Sequence, residues 1–178
     1  MALYRERGFE DTTVAEIAER AGLTERTFFR HFADKREVLF SGAETLQDAM
    51  IRAVENAPEQ MAALDAVGLS LQAAGEIFQD RRAFSAQRQA IVSANADLRE
   101  RELMKLARLA AALAEALRSK GVEEPEASLA AETGIAVFKV AFERWVSDAG
   151  AESLSEEISR SLARLRAVTT NSKRAGRR

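Results

Sequence analysis

The sequence predicts an all-α fold: a small N-terminal module of three short helices followed by a larger helical domain. Three observations lead to this prediction. Alanine, leucine, glutamate and arginine, which are good helix formers, dominate the chain. Only two prolines and nine glycines interrupt 178 residues. No stretch sustains the period-two alternation typical of a strand, so no sheet is expected.

Capping signals set the bounds of the predicted helices. Capping boxes, in which an acid follows the capping residue by three positions, begin at Thr13, Asp34 and Ser153. Glycines 8, 22, 121 and 150 are placed to end helices. The predicted helices span residues 1–7, 13–20, 24–31, 35–56, 59–79, 82–94, 97–119, 125–148 and 153–168. Because the helices lengthen after residue 40, a domain boundary is expected there, with helix 35–56 shared between the two domains.

Composition excludes several classes of site. Apolar residues make up 47% and charged residues 30%, a balance typical of globular proteins. With no cysteine and one histidine, neither a metal site nor a disulfide is expected, and no cofactor is implied. No apolar run approaches the roughly 20 residues that span a bilayer, so no membrane contact is expected and a cytoplasmic location is the default. The net charge of −2 means that any nucleic-acid footprint must be local.

Residues 13–32 have the pattern of a helix-turn-helix. Ala18 is small enough for two helices to cross closely, Gly22 can adopt the positive φ of the bend, and Thr24 can cap the second helix. Phe28 and Phe32, four residues apart, form the inward stripe of that helix. The second helix of such a motif can enter the major groove of DNA.

The outward face of helix 24–31 carries the candidate DNA-binding residues. The side chains of Arg26, Thr27 and Arg30 are predicted to reach base edges, because arginine suits guanine and a threonine methyl suits thymine. Phe29 projects about 100° from the inward stripe and is expected to be exposed. Candidates for phosphate binding lie at helix beginnings and flanks; they are Thr13, Thr24, His31 and Lys35. The alternative is a helical hairpin that binds no nucleic acid and serves as a protein-interaction module.

Residues 8–40, GFEDTTVAEIAERAGLTERTFFRHFADKREVLF, resemble the DNA-binding module of TetR-family transcriptional regulators. The resemblance implies a helix-turn-helix domain over 1–40, a ligand-binding and dimerisation domain over 41–170, a homodimer on a palindromic operator, and repression relieved by a small-molecule effector. Residues 171–178 are expected to be a basic, disordered tail. The family commonly has tyrosine at the position of Phe29. Its first helix usually begins about ten residues earlier, so helix 1–7 looks truncated and Ile17 and Phe28 are expected to be less covered.

The body also resembles, less specifically, the branch of this family related to the mycofactocin regulator. The residues that carry this resemblance are 95–101, NADLRER, and 142–145, FERW. It implies a hydrophobic or acyl-CoA-like effector. Candidate cavity residues are aromatic and aliphatic side chains with two cations that could meet an anion; they are Phe78, Phe84, Arg88, Ile91, Met104 and Arg108. The alternative is that the apolar members are plain core and the arginines are solvated.

Helix 125–148 is apolar on more than one side, and helix 153–168 carries an apolar seam. Burial on two sides fits packing against both the helix's own domain and a partner subunit, so the two helices are predicted to form a four-helix dimer interface. The candidate interface residues are Phe138, Phe142, Trp145, Ile158, Leu162 and Leu165. Ordinary core within one subunit is the alternative. An enzyme is not expected, since no catalytic triad order, metal cluster or glycine-rich phosphate loop is present and the single histidine lies in the recognition helix.

Overall fold

The computed structural model describes residues 1–148, 150 and 153–171, and all regular secondary structure in this part of the chain is helical. The elements, in order, are α1 (Ala2–Arg7), α2 (Val14–Arg20), α3 (Glu25–His31), a 3-10 helix (Lys35–Phe40), α4 (Ala43–Glu55), α5 (Ala63–Phe78), α6 (Arg82–Ala94), α7 (Ala96–Ser119), α8 (Glu126–Ser147) and α9 (Leu154–Asn171). The predicted all-α class is confirmed. The predicted tail 171–178 lies outside the described residues, except for Asn171, which ends α9. No helix among the described residues is both long and apolar enough to cross a bilayer.

The capping signals act as predicted at the start of α2 and only in part at the 3-10 helix. The Thr13 hydroxyl accepts the backbone N–H of Glu16, and the Glu16 carboxylate accepts the N–H of Thr13, which completes a capping box. The Asp34 carboxylate accepts the N–H groups of Arg36 and Glu37. The Glu37 carboxylate does not accept the backbone N–H of Asp34, because it pairs with Arg101 and Lys105 of α7.

The bend between α2 and α3 has the hydrogen bonds of a Schellman motif. Gly22 has a φ of 68°, its N–H donates to the carbonyl of Glu19 at 2.9 Å, and the N–H of Leu23 donates to the carbonyl of Ala18 at 2.8 Å. A positive φ costs any residue with a Cβ free energy, which is why glycine occupies this position. The bend fixes the angle at which α3 leaves α2.

The prediction of one continuous helix over 35–56 is wrong. The chain forms a 3-10 helix to Phe40, turns at Ser41 and Gly42, and starts α4 at Ala43. Gly42 has a φ of 88°, a left-handed conformation that interrupts an α-helix. The N-terminal module is therefore connected to the body by the 3-10 helix, a turn and α4 instead of one continuous helix.

Two apolar clusters form the core, and one of them joins the module to the body. The larger cluster is built from α4, α5, α7, α8 and α9. The smaller one combines Tyr4, Phe9, Leu39 and Phe40 of the module with buried residues of α6 and α7, Val92 and Leu98. Contrary to the expectation for a short first helix, Phe28 is buried; Ile17 is half-buried beside the smaller cluster. The module thus packs directly on the α6–α7 corner of the body.

Candidate functional site

The recognition helix α3 holds its polar face away from the core. Phe28 is buried and its ring lies 5.2 Å from that of Phe32, so these two side chains anchor the inner face as predicted. Arg26, Arg30 and His31 are exposed, and helical spacing places the two arginines on the side opposite Phe28. The short helix is capped by Thr24, whose hydroxyl accepts the N–H of Thr27 at 3.2 Å. An outward basic face on a capped, anchored helix can approach a groove without rearrangement.

Phe29 is 53% exposed, which confirms the predicted exposure of this side chain. Its ring packs edge-on against Phe28 at a centroid distance of 5.5 Å. That contact fixes the direction in which the ring projects. A large apolar ring held at the surface beside two arginines is suited to pack on a sugar or a thymine methyl.

Three of the module's seven arginines and lysines pair with acids, and two of those without an acidic partner among the described residues lie on α3. In residues 1–40, acids slightly outnumber arginines and lysines. Arg7 pairs with Glu16, Arg20 with Glu6 and Arg36 with Asp34. In contrast, Arg26 has no ion-pair or hydrogen-bond partner among the described residues.

Arg30 likewise has no acidic partner in the described part of the chain, and its nearest polar neighbour is the ring of His31 at 3.5 Å. The two guanidinium groups are therefore free to bind DNA.

The predicted hydroxyl ligands are engaged in local bonds. The Thr13 hydroxyl contacts the Glu16 carboxylate at 3.0 Å, and the hydroxyls of Thr24 and Thr27 lie 3.0 Å apart. Thr27 is half-buried, with Thr13 and Thr24 exposed at the two helix starts. Phosphate contact by Thr13, Thr24 and His31, and base contact by Thr27, remain predictions.

Lys35, predicted as a phosphate ligand, is bonded within the chain, and phosphate contact by it stays a prediction. Its ammonium donates to the backbone carbonyls of Phe9, Glu10 and Thr12 at 2.8, 2.9 and 3.0 Å, and it lies 4.6 Å from the centre of the Phe9 ring. An ammonium has three N–H donors, and these bonds use all of them. Lys35 therefore closes the α1–α2 connection onto the 3-10 helix.

Tyr4 and Asp34 support the same junction. The Tyr4 hydroxyl donates to the carbonyl of Lys35 at 2.6 Å. Burial, and then the nearby Asp34 carboxylate, raise the pKa of Tyr4 to about 12. Hydrogen bonds from the Arg36 side chain hold the pKa of Asp34 below its ordinary value. Tyr4 is thus neutral and Asp34 is charged at neutral pH.

A cavity of about 430 Å³ lies where the 3-10 helix and α4 meet α5, α6, α7 and α8. Four of the six predicted cavity residues line it: Phe78, Phe84, Arg88 and Arg108. The other two do not. Ile91 packs against the smaller core cluster, and Met104 is exposed on α7. Both were assigned from spacing along their helices, which does not tell which neighbour each helix face meets.

Arg88 connects this cavity to the module. Its Nε donates to the carbonyl of Leu39 at 2.7 Å, its Nη1 donates to Glu102 at 2.6 Å, and its guanidinium lies 4.9 Å from the centre of the Phe40 ring. Glu37 of the 3-10 helix pairs with Arg101 and, at 3.4 Å, with Lys105. The sequence offered no signal for these links, because the paired residues lie 49 to 68 positions apart.

The predicted dimer residues lie in the chain's own core. Phe138, Phe142, Trp145 and Ile158 are buried, and Leu162 and Leu165 are half-buried against the same cluster. These side chains pack α8 on α5 and α9, so the alternative of ordinary core describes them. The outer face of α8 instead exposes Leu129 (65%) and Val140 (53%), with Ala136 between them.

Comparison with known proteins identifies the N-terminal module. Residues 1–41 match the family described as bacterial regulatory proteins, tetR family. The HTH-type transcriptional regulator TcmR of Streptomyces glaucescens is 41% identical over 58 residues, which cover 33% of this chain and only 26% of that protein.

One solved structure resembles most of the chain in fold. FadR of Thermus thermophilus, a TetR-family transcriptional repressor solved in complex with lauroyl-CoA, is 21% identical with a TM-score of 0.59, over 92% of this chain and 87% of that one. PfmR, a TetR-family regulator also from Thermus thermophilus, is 22% identical with a TM-score of 0.49, over 90% and 91% of the two chains. The likeness to FadR supports the fold alone. The N-terminal module, residues 1–41, is thus similar to that of the TetR family of bacterial regulatory proteins.

Proposed function

We propose that the chain is a cytoplasmic, homodimeric transcriptional regulator that binds a palindromic DNA operator and is released by a small-molecule effector. The observation that carries the proposal is the outward face of α3, where Arg26 and Arg30 have no acidic partner among the described residues and Phe29 is held exposed. Arginine donors suit guanine O6 and N7, and the exposed ring suits thymine. The family resemblance favours repression over activation.

Dimerisation follows from the short reach of one recognition helix. A seven-residue helix contacts few base pairs, whereas two helices about 34 Å apart read two half-sites. We propose that the outer faces of α8 and α9 form the contact. Leu129, Ala136 and Val140 follow helical spacing on α8, and Val168 is exposed on α9. An apolar stripe of this kind is unfavourable in water and favours a self-complementary contact.

The dimer contact can be tested with Val140→Glu. A carboxylate in an apolar contact is costly, so we expect the variant to be a monomer by size-exclusion chromatography with light scattering. Leu69→Glu, at an exposed leucine of α5, is the matched control and should leave the mass unchanged. Equal behaviour of the two variants would remove this face from the interface.

The effector site we propose is the 430 Å³ cavity. Its volume lies within the range of about 300–1,000 Å³ that holds small ligands. Aromatic side chains and cations line it, together with Glu44, Glu102 and Glu143, and the rings and cations suit a hydrophobic molecule with a negatively charged end. The lauroyl-CoA of the FadR structure belongs to that protein; an acyl-CoA-like effector for this chain is part of the proposal.

DNA binding is tested by selecting bound sequences from a library of random duplexes. We expect enrichment of a dyad-symmetric sequence whose half-sites lie about one helical turn or slightly more apart. Arg26→Ala with Arg30→Ala should abolish the enrichment, whereas Arg52→Ala, at an exposed arginine of α4, should retain it. Failure of the wild-type chain to enrich any sequence would contradict DNA binding and favour a protein-interaction module.

A further inference from the structure

The DNA-binding module is joined firmly to the 3-10 helix that follows it. The Lys35 ammonium donates to three carbonyls of the α1–α2 connection at 2.8, 2.9 and 3.0 Å. The Tyr4 hydroxyl of α1 donates to the carbonyl of Lys35 at 2.6 Å. Lys35 is the first residue of the 3-10 helix, so a rotation of this helix against the body also rotates the module and its recognition helix.

The backbone beyond the 3-10 helix does not by itself set the direction of that helix. Ser41 and Gly42 form a turn before α4, and Gly42 has a φ of 88°. In one continuous α-helix, the ladder of backbone hydrogen bonds would fix the angle between the module and the body. The turn interrupts this ladder, so the angle depends on the contacts that the 3-10 helix makes with α6 and α7.

Apolar contacts hold the 3-10 helix on the body without fixing its direction. Leu39 and Phe40, its last two residues, belong to the smaller core cluster together with Val92 of α6 and Leu98 of α7. The free energy of apolar burial is non-directional and depends on the area removed from water. This cluster therefore favours contact but discriminates weakly between small rotations of the module.

Polar contacts to two different helices supply the direction. The Nε of Arg88 on α6 donates to the Leu39 carbonyl at 2.7 Å. Two residues earlier, the Glu37 carboxylate accepts the Nε of Arg101 at 2.6 Å and lies 3.4 Å from the Lys105 ammonium, both on α7. Hydrogen bonds weaken steeply away from their preferred angle, so contacts at two points of the 3-10 helix restrict its rotation. Loss of Glu37 leaves the contact at Leu39, close to the turn, as a pivot.

The ion pairs of Glu37 are sheltered from water. The Glu37 side chain is 21% exposed, and those of Arg101 and Lys105 are 34% and 28% exposed. The pair of Arg20 with Glu6 inside the module is more open, with side chains 56% and 42% exposed. Water and salt screen a sheltered pair less than an open one, so the Glu37 contacts persist at physiological ionic strength.

We propose that Glu37 is a positioning residue for operator selection: by fixing the module against α7, it fixes the separation and rotation of the two recognition helices and so the half-site spacing that the dimer accepts. The inference rests on the proposed dimer and its palindromic operator. It adds a residue outside the DNA-contacting face that determines which operators are bound.

A small rotation of the module is enough to change the accepted spacing. Neighbouring spacings differ by one base pair, which is about 3.4 Å of separation and about 35° of rotation along the duplex. Two modules share this difference, so each has to move by roughly 1.7 Å and 17°. A pivot at Leu39 permits movements of this size without breaking the smaller core cluster.

The spacing preference is measured on three duplexes. The half-sites found by the random-duplex selection are placed at the selected spacing and at spacings one base pair shorter and longer, and affinities are measured by fluorescence anisotropy. Wild type should bind the selected spacing about tenfold or more tightly than either neighbour, because a displaced recognition helix loses base contacts. Glu37→Met, which removes the acceptor, should reduce this difference to about threefold or less. A wild-type chain that binds all three alike, or a variant that keeps the tenfold difference, would overturn the inference.

The base preference within one half-site separates positioning from a folding defect. Glu37→Met should rank single base changes as wild type does, because Arg26 and Arg30 are unchanged. Glu6→Met, which removes the ion pair with Arg20 inside the module, is the matched control and should keep both the base preference and the spacing preference. Loss of the spacing preference in this control as well would assign the effect to module stability and overturn the role of Glu37.

The orientation of the module is also measured without DNA. The chain has no cysteine, so spin labels can be attached at Glu19→Cys on α2 and Ala111→Cys on α7, which are both exposed. Doubly labelled chains are diluted with unlabelled chain, so the distances measured by double electron–electron resonance lie within one subunit. Glu37→Met should broaden the distribution of distances, and an unchanged distribution would overturn the positioning role. A chain that enriches no duplex would refute the proposed function, while the label distances still decide the role of Glu37.

Discussion

Replacing Lys35 with methionine removes the clamp between the α1–α2 connection and the 3-10 helix. The substitution eliminates three hydrogen bonds to carbonyls, at 2.8, 2.9 and 3.0 Å, and one cation–π interaction. A hydrogen bond to a charged group contributes about 1.5–3 kcal/mol when well buried. Because Lys35 is half-buried and water can hydrate both the ammonium and the carbonyls, we expect a total destabilisation of about 2–3 kcal/mol rather than the full sum.

Urea unfolding and the salt dependence of DNA binding distinguish this structural role from phosphate binding. For the structural role, Lys35→Met lowers the free energy of unfolding while the slope of log affinity against log salt stays at its wild-type value. For a phosphate ligand, the slope would become shallower by about 0.9 for each phosphate that the variant no longer binds. Lys120→Met, which removes one bond to the Glu55 carbonyl at 2.9 Å, is the control with a smaller expected destabilisation. A shallower slope with unchanged stability would refute the structural role.

Three further predictions concern the module. Gly22→Ala should destabilise the chain by about 1 kcal/mol in urea unfolding: the added Cβ meets no atom within 4 Å, so the cost is that of a φ of 68°. Phe29→Tyr should strengthen DNA binding about threefold on every sequence alike, because the added hydroxyl can donate to a phosphate; an effect limited to certain base pairs would contradict this. The lowered pKa of Asp34 means that its contribution is complete above its ordinary pKa of about 3.9 and is lost as pH falls through its lower folded value. The stability difference between wild type and Asp34→Asn should therefore be constant from about pH 7 to 5 and shrink below about pH 4; a difference that persists undiminished in acid would refute the role of the charge.

The sequence predicts the helix-turn-helix well because its determinants are local. The caps at Thr13 and Thr24, the bend at Gly22 and the spacing of Phe28 and Phe32 all act within one or two helical turns. Each can be recognised without knowing the neighbours in space. The exposure of Phe29 follows from the same local geometry.

The break at Gly42 could also have been recognised locally. Ser41 and Gly42 are turn-forming residues, but the good helix formers on either side hid them within an apparently continuous helix. The break at Gly42 also changes how the module is attached to the body. A broken connection ties the module to the body through side-chain bonds to Leu39 and Glu37 instead of a continuous backbone helix.

The sequence could not predict which helices pack against each other, because these contacts join residues far apart in the chain. The apolar residues of α8 do face more than one side, yet Phe142 and Trp145 meet α5 of the same chain through Phe78 rather than a partner subunit. Periodicity tells how many faces of a helix are apolar and not which element covers each. The same limit separates Arg88, which lines the cavity, from Ile91, which lies in the core.

The most direct test of the account is the base-by-base affinity of Arg26→Ala on single substitutions of the selected operator. We predict that wild type loses about 1–3 kcal/mol when the base pair read by Arg26 is changed, and that the variant no longer distinguishes that pair while it still discriminates at the others. An equal loss of affinity on every sequence, or no loss on the operator, would contradict a recognition helix that reads DNA through its unpaired arginines.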